Sequence, residues 1–138
     1  MKNGSLRIVV DTNVLYSFFY NPFGDSGNLM MEAIHSKIKL YSTDTVYREI
    51  KNLLTKDFKA TEDEAAQIID GLPVEWIGKE IYTNYMKDTE IIQHKSDRPV
   101  LALALALNCG ILTFDRHFKA AKRMVKLWKI KELLSSTP

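Results

Sequence analysis

The chain has 138 residues, 46% hydrophobic and 26% charged, the proportions of an ordinary soluble globular protein of one domain spanning 1–138. The single cysteine, Cys109, excludes an intrachain disulfide. No apolar run nears the roughly 18–20 residues of a membrane span, and the opening MKNGSLRIVV lacks the apolar core and cleavage site of a signal peptide, so the expected location is cytoplasmic. The net charge of +2 is unevenly spread: residues 115–131 carry seven cations against the one acid Asp115, a net +6, which leaves −4 for the rest. Such a segment suits either a polyanion-binding surface or a solvated basic face.

In chain order, LRIVV at 6–10 predicts a short buried strand, followed after a polar step by a helix containing VLYSFFY. NPFGDSG at 21–27 is a turn. Leu29, Met30, Ala33, Ile34 and Ile38 predict a helix over 28–38, and KLYST a strand. Val46, Ile50, Leu53 and Leu54 form the apolar stripe of a further helix. Thr61 and Glu64 make a capping box, and Gly71 with Pro73 marks a stop, so 62–70 is helical. PVEWI follows as a strand, then a helix over 80–92. In RPVLALALALNCGILTFD the Leu/Ala alternation has the period of a strand, but both residues are strong helix formers and Ala is poor in strands. We read a buried helix over 98–108, with Pro99 in its first turn and Gly110 just past its end, then a strand over 111–114. The terminal 135–138 reads as a frayed tail. Alternating strands and helices predict an α/β domain on a parallel sheet.

In open α/β sheets, ligands bind beyond the carboxyl ends of strands. Asp11 and Asp115 stand at two such ends. A helix of about eleven residues rises roughly 16 Å, and a return strand of four or five residues covers roughly 13–16 Å, which brings Asp97 level with Asp115. Glu49 lies roughly 85° from the centre of its helix's apolar stripe, at the margin of the buried face. Carboxylates sharing a crevice repel one another unless a cation enters, and hard divalent ions prefer oxygen ligands. Each acid also has a plainer reading: Asp11 and Asp97 as helix caps, Glu49 as a surface charge, Asp115 as a turn residue. His35, His94 and His117 lack helical spacing to one another, which argues against zinc.

VVDTNVL, Glu49 in VYREIKNLL, and DRPVLALALALNCGILTFDRHF together resemble the PIN-domain ribonucleases, which include the VapC-type toxins of toxin–antitoxin pairs. The resemblance spans almost the whole chain. It implies a Rossmann-like three-layer α/β/α fold with a central, mostly parallel sheet, and RNA hydrolysis dependent on one or two Mg²⁺ or Mn²⁺ ions. It carries the catalytic and metal-binding roles to Asp11, Glu49, Asp97 and Asp115, and supporting roles to Asn13 and Thr113. Many relatives have consecutive acids before the proline, where this chain has Ser96. Arg116, His117, Lys119, Lys122 and Arg123 are candidate RNA contacts, while VKLWKI reads also as an edge strand guarded by lysines. A small antitoxin and a homodimer, with VLYSFFY contributing, are the partners implied. The alternative is a weak or inactive PIN-like RNA-binding or assembly module. An aspartyl-phosphate hydrolase would need a second Asp where Asn13 stands.

Overall fold

The computed structural model describes residues 5–35 and 37–135; of the tail expected over 135–138, residues 136–138 lie outside the described residues. Leu6–Val10 form β1, and Ile8, Val9 and Val10 are wholly buried, as befits a strand covered on both faces. Asp11 leads directly into α1, Thr12–Tyr20. In VLYSFFY, Val14 and Leu15 are fully buried, Phe18 and Phe19 pack against the core, and Tyr20 is exposed. After the turn, α2 spans Asp25–Ile34 and β2 spans Ile38–Thr43. The helix expected to reach residue 38 therefore stops four residues earlier, and Ile38 instead pairs with Leu6 at the start of β2.

Helix α3, Asp44–Lys56, buries Val46, Ile50, Leu53 and Leu54, and α4, Glu62–Asp70, carries the Thr61–Glu64 capping box, each side chain bonded to the other's backbone N–H. Strand β3 is Val74–Ile77. The helix expected over 80–92 is not formed. Only α5, Lys79–Tyr82, is α-helical, followed by 3₁₀ turns at Thr83–Asp88 and Lys95–Asp97. Thr83, Asn84, Asp88 and Thr89 are weak helix formers, and the Thr83 and Thr89 hydroxyls donate to the carbonyls of Lys79 and Met86.

Helix α6, Arg98–Leu107, is buried over Pro99–Ala104, so its alternating Leu and Ala form a helix apolar on every side. Asn108, in the left-handed conformation (φ 52°, ψ 53°), ends it. Gly110 begins β4, Gly110–Leu112, rather than capping the helix. A Cβ on Gly110 would meet Trp128 Nε1 at 2.6 Å and the Lys126 carbonyl at 2.8 Å, so the glycine admits the neighbouring chain. The predicted strand over 111–114 thus starts one residue earlier and stops at Leu112. A 3₁₀ turn at Arg116–Ala121, the short edge strand β5, Leu127–Trp128, and α7, Ile130–Ser135, complete the chain.

The sheet order is β3-β2-β1-β4-β5, and all four pairings are parallel. Helices α1 to α4 connect strands wound toward β3, and α6 connects strands wound back toward β5. With the right-handed crossovers general to parallel sheets, the two sets cover opposite faces, giving an α/β/α sandwich. The winding reverses between β1 and β4, whose carboxyl ends are the centre of the sheet's upper rim. Among the described residues no helix is long and apolar enough to cross a membrane.

Candidate active site

At the winding reversal, Val10 pairs with Leu112, and the Asp11 amide donates to the Leu112 carbonyl at 3.1 Å. The two chains then diverge, and polar side chains fill the opening. Asp11 is only 5% exposed. Its Oδ1 accepts from the Thr12 amide at 2.8 Å and its Oδ2 from the Thr113 hydroxyl at 2.8 Å. Burial pushes its carboxyl up to about 6; these two hydrogen bonds resist the rise, and the charges of Asp97 and Glu49 add to it.

Thr113 uses its full hydrogen-bonding capacity. Besides donating to Asp11, its hydroxyl accepts from the Asp115 amide at 3.0 Å and from Asn13 Nδ2 at 3.5 Å. The Asn13 side chain also accepts from the Phe114 amide at 3.2 Å. Asn13 and Thr113 therefore stitch the start of α1 to the chain leaving β4. Thr12, unremarked in the sequence, joins two acids: its amide donates to Asp11 and its hydroxyl donates to Glu49 Oε1 at 2.6 Å. Glu49 is half-buried on α3.

Asp97 ends a 3₁₀ turn and precedes α6, yet its side chain makes no capping hydrogen bond. It is half-buried and raised above the ordinary carboxyl range, first by burial and then by the charge of Asp115; His94 and His117 oppose this. The loop that delivers it is held by Arg98 Nε, which donates to the Ile92 carbonyl at 2.7 Å, and by the fully buried Ile92. Asp115 accepts from the His117 amide at 2.9 Å and from His117 Nδ1 at 2.8 Å. The His117 ring lies 4.6 Å from that of His94, centroid to centroid. His94 gave no signal in the sequence, because its neighbour in space is 23 residues away.

Asp11 is thus coupled to Glu49 and Asp97, and Asp97 to Asp115. An all-carboxylate set of this kind has the chemistry of a hard divalent-ion site. The side chains are not drawn into ligand geometry: among the described residues, no three His, Cys, Asp or Glu groups are placed to hold an ion. Instead, Asp11, Glu49 and Asp115 are engaged by Thr113, Thr12 and His117. The set fits a divalent ion in donor type, and a cation would offset the burial and the neighbouring Asp97 and Glu49 charges that disfavour the ionised form of Asp11.

Beyond Asp115, the basic segment divides. Arg116, His117 and Lys119 are exposed on the 3₁₀ turn that follows Asp115, and Lys122 and Arg123 are exposed just past its end. Lys126 pairs with Glu132 and lies over the Trp128 ring, and Lys131 pairs with Asp25.

A family model described as PIN domain matches residues 9–136. Solved structures share the fold, among them two from VapBC assemblies. The crystal structure of VapBC2 from Rickettsia felis bound to a DNA fragment from their promoter contains a chain 18% identical, with a TM-score of 0.63, covering 90% of this chain and 98% of that one. The 2.2 Å resolution structure of VapBC-1 from nontypeable Haemophilus influenzae contains a chain 15% identical, with a TM-score of 0.62, covering 91% and 99%. Comparison with curated proteins found no match.

Proposed function

Because the chain belongs to the PIN domain family over residues 9–136, we propose that it is a Mg²⁺- or Mn²⁺-dependent endoribonuclease, a single cytoplasmic domain acting as the toxin of a toxin–antitoxin pair. One observation carries the reading. At the reversal point of a parallel sheet, a buried Asp11 is held across the β1–β4 junction by Thr113 and feels the charges of Asp97 and Glu49.

In this reading, Asp11, Glu49, Asp97 and Asp115 hold one or two divalent ions. A bound ion of this class supplies Lewis-acid stabilisation and an activated water for phosphodiester hydrolysis. The protein's own residues do the positioning. Thr12 sets the spacing of Asp11 and Glu49. Thr113 and Asn13 fix the direction of Asp11 and of the turn that carries Asp115. Exposed Arg116, Lys119, Lys122 and Arg123 draw the polyanionic substrate to the rim. The two similar folds come from VapBC assemblies, which supports a small antitoxin partner for this chain; a homodimer belongs to the same proposal.

The decisive experiment is cleavage of mixed-sequence RNA with Mn²⁺ by the wild type, Asp11→Asn and Asp97→Asn. Cutting by the wild type, and loss of it in EDTA and in both variants, is expected. Cleavage that survives chelation or both substitutions overturns the reading. Metal binding without any RNA cutting supports the alternative, an RNA-binding or assembly module. For the toxin role, expression of the wild type should arrest growth while Asp11→Asn does not.

A further inference from the structure

Phe114 is the residue the proposed mechanism leaves without a task. It stands in the chain between Thr113 and Asp115, yet it is a large apolar side chain 47% exposed to solvent. The aromatic residues within the strands, Tyr41, Trp76 and Trp128, pack into or against the core. Phe114 does not join the core, and it packs against no other ring among the described residues. Its backbone is nevertheless fixed. Its amide donates to the Asn13 side chain at 3.2 Å, and the next amide donates to Thr113 at 3.0 Å. An exposed ring on an anchored backbone presents its faces without the entropy loss of ordering a loose loop. Close after it in the chain come the exposed Arg116, His117 and Lys119, and the His117 ring lies 4.6 Å from that of His94.

We propose that Phe114 is a stacking platform for an unpaired nucleobase of the substrate RNA. The inference rests on the ribonuclease reading and deepens it. Aromatic side chains beside cationic ones are the general means of gripping unpaired strands, since every base has a π face and a paired base does not offer it. Asn13 and Thr113 gain a second purpose: they hold the platform at a constant height relative to Asp11 and Asp115. Phe114 is thus a positioning residue, acting on the substrate's base and not on its phosphorus.

The test uses a short fluorescent RNA of mixed sequence, single-stranded or annealed to its complement, with wild type, Phe114→Ala, Phe114→Tyr, Phe114→Trp and the control Phe23→Ala, whose side chain is 95% exposed beyond the far end of α1. Loss of stacking on one base should weaken single-strand binding by roughly five- to 150-fold in Phe114→Ala, seen as a raised KM with kcat less affected. Phe114→Tyr should retain wild-type binding, Phe23→Ala should change nothing, and the duplex should bind poorly and alike to wild type and Phe114→Ala. Phe114→Trp should show added fluorescence quenching on RNA addition, beyond that of wild type. Wild-type cleavage with equal single-strand binding by Phe114→Ala overturns the platform and leaves the ribonuclease intact. A wild type that neither binds nor cuts either RNA overturns the ribonuclease reading, and the platform with it.

Discussion

Asp11 and Asp97 approach the same opening from opposite kinds of scaffold. Asp11 sits at a strand-to-helix junction in the middle of the sheet, 5% exposed, with both oxygens hydrogen-bonded. Asp97 ends a chain segment that, from Thr83 onward, has only 3₁₀ turns, and its carboxylate is left without a cap bond. One half of the site is pre-set by the core; the other hangs on a loop tied down at Ile92 and Arg98. On the proposed function, in which the site admits an ion and a polymer, this division is an advantage: the fixed side defines position, and the looser side can adjust as charge enters.

The comparison yields graded expectations. The largest effect falls on Asp11. Asp11→Asn should lower Mn²⁺-dependent RNA cleavage by about a hundredfold or more, since on the proposed reading it removes a ligand and not a supporting contact. The same change should stabilise the metal-free protein near neutral pH. The folded carboxyl titrates at about 6, above its ordinary 3.8. Its contribution to stability is therefore complete only below 3.8 and is lost as pH rises through 6. Thermal melts from pH 4 to 7.5 should show the wild type losing up to about 3 kcal/mol relative to Asp11→Asn. Parallel pH profiles for the two proteins would show that Asp11 is not under this strain.

Next comes Thr113→Ala, which strips one hydrogen bond from Asp11 and leaves the Asp115 amide without its acceptor. Cleavage should fall about 10–100-fold, and stability by about 1–3 kcal/mol in denaturant unfolding, with Thr113→Ser recovering most of both. On the looser side, Arg98→Ala should cost about 1 kcal/mol of stability and weaken Mn²⁺ binding by calorimetry only a few-fold, because the loop holding Asp97 can still reach its place. If Arg98→Ala proves as damaging as Thr113→Ala, the two halves are equally rigid and the contrast fails. The smallest effect belongs to Lys131→Ala: its pair with Asp25 is 3.6 Å long with the lysine side chain 87% exposed. It should shift stability by less than about 0.5 kcal/mol and leave RNA cleavage unchanged.

The two halves also differed in how far the residues alone revealed them. The strand–Asp–helix run at 6–20 and the capping box at Thr61 are local signals, and the structure follows them. The Leu/Ala helix was legible once propensity was weighed above periodicity. The segment 80–92 misled because Ile81, Tyr85 and Ile91 simulate a helical stripe, while all three are exposed and Thr83 and Thr89 turn their hydroxyls onto the backbone. In sequence Gly110 has the place of a helix stop, whereas the demand on it comes from Trp128 and the Lys126 carbonyl across the sheet. The Thr12–Glu49, Thr113–Asp11 and His94–His117 contacts join residues 23 to 102 positions apart. No local pattern encodes such contacts.

The left-handed turn at Asn108 has a consequence for where this chain can change length. Helix α6 has ten residues and rises roughly 15 Å, and Asn108 and Cys109 alone separate it from β4. Helix and strand together work as a ruler whose two ends are Asp97 and Asp115. One residue added within α6 would turn Asp97 by about 100° and lift it by about 1.5 Å, swinging its carboxylate off the opening. One residue added between Thr83 and Glu90 would be taken up by turns. Insertions and deletions should therefore gather just before the ruler and stop where it begins.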